Sequence, residues 1–225
     1  MKLYKTDKKV ISIKHNPDKF LNGLTANSLD KPRNAFCNIH GKIIATFDQA
    51  VVSEDEIYLV IEKDFVEPTL NHINKYAKLS GAQVSLLASN VYFDLEDCNQ
   101  GLDENDILVK QKTGNLVITS GEYLSNVLEE DFLLFRVKNN IARLGVDYRD
   151  EFLLNIGEDE FVSFTKGCFL GQEPIAKVHY RSKPTWKLLV KYEDECDEQD
   201  KEKMTSKVVD PQNGRVFGFT FVRNF

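Results

Sequence analysis

Three apolar segments separated by short turns constrain the fold of this chain most strongly. They are AFCNI from Ala35, KIIATFDQAVV from Lys42 and IYLVIE from Ile57, with the turn segments HG and SEDE between them. Turn residues between runs of β-branched and aromatic side chains are typical of β-hairpins. The sequence therefore predicts an antiparallel meander in the first third of the chain.

Helical patterns alternate with strand patterns along the rest of the chain. Further strands are predicted at KVISIK, QVSLL, VYFDLE, ILVK, LVITS, TWKLLVKY and RVFGFTFV. Apolar spacing and capping residues predict helices at residues 16–23, 67–81, from 128 onward and 172–179. Antiparallel hairpins mixed with blocks of helix indicate the α+β class. We expect residues 1–180 to form an α+β region of two intertwined subdomains, and residues 181–225 to form a small all-β domain.

Composition excludes several classes of protein. The net charge of −6 argues against a dedicated nucleic-acid-binding domain that is held by phosphate neutralisation. The longest apolar run, Ile57–Ile61, is far shorter than the roughly 20 residues of a membrane helix. The N-terminal segment has no apolar region or cleavage site of a signal peptide. We therefore expect a cytoplasmic protein with no membrane partner.

The four cysteines are widely spaced and form no C-x-x-C pair. The sequence therefore predicts no metal site within the chain, and free thiols in a reducing cytosol. Cys37 lies in an apolar strand and is expected in the core. Cys196 lies in the acidic segment YEDECDEQD and is expected to be exposed.

Cys168 has a different setting, in the segment FTKGCFLGQE from Phe164. It lies between Gly167 and Gly171, behind Lys166, where a helix can begin. A helix N-terminus and nearby cations favour the thiolate, which would make this thiol reactive. The same pattern also fits a well-packed turn that enters a helix, so the residues alone leave both interpretations open.

The residues after this cysteine are unusually basic. No acid occurs from Pro174 to Tyr192, and the cations there could hold an anionic ligand or simply lie solvated at strand edges. Glu173 has two interpretations as well: it can pair with Lys177 one helical turn later, or accept paired N–H donors from a heterocycle.

The segment KGCFLGQE, Lys166–Glu173, resembles the signature K-G-C-[FY]-x-G-Q-E of the YgfZ family, folate-binding relatives of the glycine-cleavage T-protein, an aminomethyltransferase. FLNGLTANSL, NIHGKIIATF and FRVKNNIARLGVDY are similar to further family segments in the same order. The resemblance implies that Cys168 is the catalytic or reactive thiol. It assigns cofactor binding to Asn27, Lys166, Gly167, Gly171, Gln172, Glu173 and Arg181.

The resemblance also implies a fold, a cofactor and partners. The fold is a T-protein-like ring of antiparallel sheets with helices, plus a small C-terminal β-barrel, which is short in this chain. The cofactor is tetrahydrofolate or a one-carbon derivative. The implied role is assembly or repair of iron–sulfur clusters, with iron–sulfur proteins or assembly factors as partners and an indirect link to tRNA through cluster-dependent modifying enzymes.

One departure from the family bears on catalysis. The T-protein carries paired aspartates after its glycine hairpin, where this chain has Ala45 and Thr46, with Asp48 two residues further on. A shift of two residues keeps the same face of a strand but moves the carboxylate by about 7 Å. Folate-dependent aminomethyl transfer is therefore the second hypothesis, behind a folate-binding accessory protein. A tRNA- or protein-docking module that uses the basic stretch is the third.

Overall fold

The computed structural model describes residues 1–98 and 101–224, and the side chains of Glu158 and Asp159 are outside the description. Within these residues the chain forms twelve strands in three antiparallel sheets. The strands are Leu3–Lys5 (β1), Lys9–Lys14 (β2), Arg33–Cys37 (β3), Ile43–Ser53 (β4), Glu56–Ile61 (β5), Gln83–Leu87 (β6), Asn90–Asp94 (β7), Ile107–Lys110 (β8), Asn115–Thr119 (β9), Trp186–Tyr192 (β10), Thr205–Val209 (β11) and Val216–Arg223 (β12).

Six α-helices accompany the strands in the described part of the chain. They are Pro17–Asn22 (α1), Val66–Ser80 (α2), Glu129–Lys138 (α3), Glu158–Phe161 (α4), Gln172–Arg181 (α5) and Glu198–Lys203 (α6). The α+β prediction is confirmed. None of these helices combines the length and the apolarity that crossing a membrane requires.

The predicted meander forms one half of a five-stranded sheet, with the strand order β3-β4-β5-β2-β6. β4 pairs with β3 on one side and with β5 on the other, as the turn residues predicted. The turn between β3 and β4 contains Gly41, whose backbone has a φ of 72° and where a Cβ would lie 2.7 Å from the ring of Phe152. Glycine fits there because a side chain would meet that ring.

Both faces of the five-stranded sheet are buried. Ile11 and Ile13 of β2 point into a core that includes Ile73 of α2, whereas Val10 points into a second core with Phe93 of β7. Successive side chains of a strand point to opposite faces, so one strand serves both cores. The second core joins this sheet to a four-stranded sheet with the order β1-β7-β9-β8.

The C-terminal region contains a three-stranded sheet with the order β10-β12-β11. Within the described residues this sheet stays open, so the expectation of a small C-terminal β-barrel is corrected to an open three-stranded sheet. Its central strand, β12, buries Phe217 and Phe219 against the main core. The division of the chain at residue 180 stays a prediction.

The acidic segment before β11 is helical, whereas residues 181–225 were expected to be all-β. It forms α6, where Asp197 caps the helix by accepting a hydrogen bond from the backbone N–H of Asp200 at 2.8 Å. The expectation that Cys196 is exposed is wrong: its side chain is buried, and its thiol donates to the carbonyl of Tyr192. A turn that folds against β12 encloses it, and the local acidic composition gave no sign of this.

Candidate functional site

A cleft of about 630 Å³ lies where β3 and β4 face the β8–β9 hairpin. Its walls combine apolar, cationic and acidic side chains. The lining residues are Asn27, Leu29, Asp30, Lys31, Pro32, Arg33, Gln49, Val51, Leu108, Val109, Lys110, Gln111, Lys112 and Glu160. A cavity of this size and mixed lining is typical of sites for small organic molecules.

Arg33 is the central cation of the cleft. Its guanidinium donates a hydrogen bond to the carboxylate of Glu160, lies 3.5 Å from the carboxylate of Asp48, and stacks 4.5 Å from the ring centre of Phe161. Burial alone would lower the pKa of Arg33, but the charges of Asp48 and Glu160 outweigh burial and raise it. The guanidinium is therefore a fixed positive charge at the inner end of the cleft.

Asn27, one of the residues assigned to cofactor binding, forms part of the cleft wall. Its side chain is buried, and its Nδ2 donates to the backbone carbonyls of Arg33 and Glu160 at 3.0 Å each. Its Oδ1 accepts from the backbone N–H of Ser28 at 2.9 Å. All of these bonds are to backbone, so Asn27 ties the start of β3 to α4 and sets the shape of the wall.

A second group of buried charges lies beneath the cleft, next to Arg33. Lys8 Nζ lies 2.9 Å from the carboxylate of Glu62 and 3.2 Å from that of Asp48, and Arg143 Nε lies 2.9 Å from Glu62. Burial alone would raise the pKa of Glu62, but Lys8 and Arg143 outweigh it and lower the pKa. We name Lys8, Arg33, Asp48, Glu62 and Arg143 the buried charge network.

The position of Asp48 agrees with the spacing argument from the sequence. Asp48 and Thr46 both line one small cavity, and as residues two positions apart on β4 their side chains lie on one face of the strand. Thr46 Oγ1 and the hydroxyl of Tyr148 share a hydrogen bond of 2.6 Å, and burial raises the pKa of Tyr148 to about 12. On this face of β4, Thr46 and Tyr148 thus form an un-ionised hydroxyl pair. The carboxylate of Asp48, two residues further along the strand, is ion-paired.

The motif around Cys168 forms a turn that packs between α1 and the β3–β4 turn. Gly171 has a φ of 86°, and a Cβ at this position would lie 2.3 Å from the backbone carbonyl oxygen of Asn38. The N–H of Leu170 donates to the carbonyl of Gly23 at 3.0 Å. Gly171 is thus required by packing and by backbone conformation together. Gly167 has no such neighbour and lies exposed.

Lys166 fastens this turn to the loop after α1. Its Nζ donates to the carbonyls of Asn22 at 2.9 Å and Thr25 at 2.5 Å, and it lies 5.4 Å from the ring centre of Phe169. Burial lowers the pKa of Lys166 to about 8. A neutral amine retains two N–H groups for these two carbonyls, so the contact tolerates loss of the proton.

The remaining assigned residues of the motif lie on the surface or half-buried. Cys168 and Glu173 are exposed, Gln172 is half-buried, and Arg181 is exposed at the far end of α5. The cleft is lined by Asn27 and not by Cys168. The structure therefore brings residues 166–172 together in one turn and places the cleft elsewhere.

The motif and the cleft nevertheless share one loop. Lys166 holds Thr25, and Thr25 Oγ1 donates to the carbonyls of Leu21 and Asn27 at 3.0 and 3.3 Å. Asn27 in turn forms the cleft wall. The loop between α1 and β3 therefore carries the motif on one side and the cleft on the other.

Sequence reasoning missed Arg33 and Glu160, which form the inner end of the cleft. The two residues are separated by 127 positions, so no local pattern relates them. The strand pattern held one signal: Arg33 and Asp48 are charged residues in strands, and they pair in register across β3 and β4. Charged residues at strand positions that face a core indicate a buried polar site.

The thiols differ in environment. All four cysteines are free, Cys37 and Cys196 are buried, Cys98 is half-buried and Cys168 is exposed. Burial raises the pKa of Cys37 to about 12, as expected of a core thiol. Among the described residues no group of three or more histidine, cysteine or acidic side chains is arranged to hold a metal ion.

Comparison of the coordinates with solved structures identifies the class of fold. The chain is similar to the crystal structure of glycine cleavage system aminomethyltransferase T from Bartonella henselae, with a TM-score of 0.73 over 98% of this chain and 78% of that chain. The identity is 14%, so the likeness shows the fold alone. The T-protein fold expected from the sequence is confirmed.

Comparison of the sequence gives a narrower likeness. Two proteins named tRNA-modifying protein YgfZ, from two strains of Aliivibrio fischeri, are 29% and 28% identical over 172 residues, which is 64% of this chain and 54% of each relative. An uncharacterised protein of Haemophilus influenzae is 26% identical over 168 residues, 65% of this chain and 55% of that protein. No family model matches the chain.

The chain therefore has the T-protein fold and is similar in sequence to proteins named YgfZ. It spans about half the length of the curated relatives that it matches.

We expect Glu62→Gln to lower the free energy of unfolding by about 2 kcal/mol at pH 7, because Lys8 and Arg143 each lose a buried partner but keep an aspartate. The pKa of Glu62 is lowered in the folded state, so its stabilisation is present above its unfolded pKa and is lost as the pH falls through the folded pKa. Urea unfolding from pH 7 to pH 3 should show the two proteins converging in acid. A difference that is constant with pH would contradict this, and Glu122→Gln in an exposed pair is the control.

We expect Gly171→Ala to destabilise the fold by about 2 kcal/mol or more, because alanine is strained at this φ and its Cβ meets a backbone carbonyl. Gly167→Ala, four residues earlier in the same turn, should change stability by less than about 0.5 kcal/mol. Urea denaturation of both variants makes the comparison. Equal losses in the two variants would contradict the packing role of Gly171.

We expect Cys168 to be the fastest thiol toward Ellman's reagent at pH 8, since it is the exposed one. The fast phase should be absent in Cys168→Ser, and Cys37 should react only after denaturation. A fast phase that survives in Cys168→Ser would show that another thiol is accessible.

Proposed function

We propose that this chain is a tetrahydrofolate-binding protein with a role related to tRNA modification, and that it supports the assembly or repair of iron–sulfur clusters. The observation that carries the folate part is the cleft between β3–β4 and the β8–β9 hairpin, in a fold shared with an aminomethyltransferase T. The tRNA part rests on the names of its YgfZ relatives. The iron–sulfur part rests on the likeness of KGCFLGQE to the family motif.

The lining of the cleft fits the chemistry of a reduced folate. Folate joins a heterocycle with adjacent N–H donors, a benzoyl ring and an anionic glutamate tail. Oε2 of Glu160 accepts from Arg33, so its Oε1 can accept an N–H donor of the heterocycle, and Val51 and Leu108 offer apolar surface to a ring. Lys110 and Lys112 are exposed at the rim, where they would meet the tail. We infer that Glu160, rather than Glu173, holds the heterocycle.

Binding without turnover is favoured over aminomethyl transfer. The T-protein fold makes transfer the second candidate, but the acid on this face of β4 is Asp48, which accepts a hydrogen bond from Lys8 at 3.2 Å and forms an ion pair with Arg33 at 3.5 Å. A general base must reach the proton that it abstracts with a free lone pair. Asp48 is placed to fix Arg33 rather than to act on a substrate.

We assign the thiol to a macromolecular partner. Cys168 is exposed on a turn outside the cleft, so a surface of an iron–sulfur protein can reach it while folate occupies the cleft. In this arrangement the folate site and the thiol are separate, and the α1–β3 loop lies between them.

We expect Val51→Trp to weaken tetrahydrofolate binding at least tenfold, because the indole would fill the cleft from an exposed strand position. Val52→Trp is the matched control, since Val52 is the next residue of β4 and does not line the cleft. Isothermal titration calorimetry under reducing conditions, with circular dichroism to confirm folding, measures both variants. Absence of saturable binding by the wild-type protein would overturn the proposal.

Cys168→Ser should bind tetrahydrofolate as the wild-type protein does. If this substitution abolished binding while Val51→Trp left it intact, the folate site would lie at the motif turn and not in the cleft.

A further inference from the structure

The outer face of α5 and the start of β10, which follow one another in the chain, expose a surface that the folate cleft does not use. Its side chains are exposed and either cationic or aromatic, and we name it the α5–β10 surface. Its members are Lys177, Tyr180, Arg181, Lys183, Trp186 and Lys187. Lys177, Tyr180 and Arg181 are three or four residues apart on α5 and therefore share one face of the helix.

The cations of this surface are not neutralised by ion pairs. Within the described residues, Lys177, Arg181, Lys183 and Lys187 have no carboxylate within ion-pair distance. Acids are absent from the sequence between Pro174 and Tyr192. Four positive charges are thus concentrated on a protein whose net charge is −6.

The acidic segment Glu193–Glu202, which follows β10, differs from this surface because several of its charges are ion-paired. Arg215 pairs with Asp194 at 2.5 Å and with Glu195 at 2.7 Å, and Lys207 pairs with Glu193 at 2.7 Å. Together with Glu198, which pairs with Lys201, these acids therefore have cationic partners outside the α5–β10 surface. Within the described residues no acid forms an ion pair with the four cations of the α5–β10 surface. The surface therefore presents a positive potential to solvent.

Two large aromatic side chains are exposed among these cations. Tyr180 is 69% exposed and Trp186 is 43% exposed. Tyr180 lies edge-on to His179, whose ring stacks on Phe164 at 3.7 Å, so the aromatic group has a rigid base. Trp186 lies on β10, an edge strand of its sheet. A fixed aromatic ring that is open to solvent is suited to stacking on a planar ligand.

We propose that the α5–β10 surface binds single-stranded or looped RNA, with its cations on the phosphates and Tyr180 and Trp186 stacked on bases. Cations that follow the backbone, interleaved with aromatic rings, are the common arrangement for single-stranded nucleic acid. The inference rests on the tRNA-related part of the proposed function and assigns its physical contact.

RNA fits this surface better than an acidic protein segment does. An acidic peptide would satisfy the four cations but would leave both aromatic rings without planar partners. A single-stranded RNA supplies planar bases for the rings and phosphates for the cations. The surface is carried in part by α5, the helix that follows the turn with Cys168.

The test measures fluorescence anisotropy of a 5′-fluorescein-labelled 20-nucleotide single-stranded RNA of mixed sequence, at salt concentrations from about 50 to 200 mM. The test variant carries four substitutions to glutamine, at Lys177, Arg181, Lys183 and Lys187. The control variant carries the same change of charge at exposed lysines of α1 and the α2 region, namely Lys19, Lys63, Lys75 and Lys78.

We expect the test variant to bind at least tenfold more weakly at about 100 mM salt, and the control variant to bind as the wild type does. The slope of log affinity against log salt should fall in magnitude by about 3 in the test variant, because each lost phosphate contact on a single strand contributes about 0.7. Tyr180→Ala and Trp186→Ala should each cost about tenfold, whereas Tyr180→Phe keeps the ring and should keep binding.

Several results would overturn the proposal. These are no binding by the wild-type protein at low salt, equal losses in the test and control variants, or loss of the salt slope with no effect of either aromatic substitution. Poly-glutamate that competes as well as unlabelled RNA would assign the surface to acidic proteins instead. Tetrahydrofolate titration of the same samples separates the outcomes, since folate binding should be unchanged in the test variant.

Discussion

The buried charge network is the interaction on which the cleft depends. Lys8, Arg33, Asp48, Glu62 and Arg143 come from separate parts of the chain and meet between the two larger sheets. Removing each charge from water costs several kcal/mol, and this cost is offset only while the opposite charges stay in contact. The network thereby fixes the distance between β3, β4 and the loop after α3, and with it the position of Arg33 at the inner end of the cleft.

The motif around Cys168 divides into residues with a packing role and residues without one. Gly171, Lys166 and Phe169 hold the turn against α1 and the β3–β4 turn through backbone contact, hydrogen bonds and burial. Cys168 and Glu173 are exposed and contribute nothing comparable to stability. The contacts of Gly171, Lys166 and Phe169 within the protein therefore hold the turn that carries Cys168 at a fixed place.

The sequence predicted those strands and helices that are determined by residues close together in the chain. Turn residues between apolar runs defined β3, β4 and β5, and the positive φ of Gly81 ends α2 as its position suggested. The burial of Cys196 and the helix after it were missed because a single aspartate cap and a tertiary contact, not apolar spacing, determine them. The pair of Arg33 and Glu160 was missed for a related reason: residues 127 positions apart meet only once the sheets have packed.

The shared loop changes how substitutions at the motif are interpreted. Lys166 bonds to the carbonyl of Thr25, and Asn27, two residues later, bonds to both Arg33 and Glu160. Loss of the Lys166 amine would free the loop on one side and loosen the wall of the cleft on the other. A Lys166 variant with weaker folate binding would thus be explained without any contact between that lysine and folate. Only a substitution inside the cleft, such as one at Val51, reports on contact directly, because it leaves the loop and its hydrogen bonds in place.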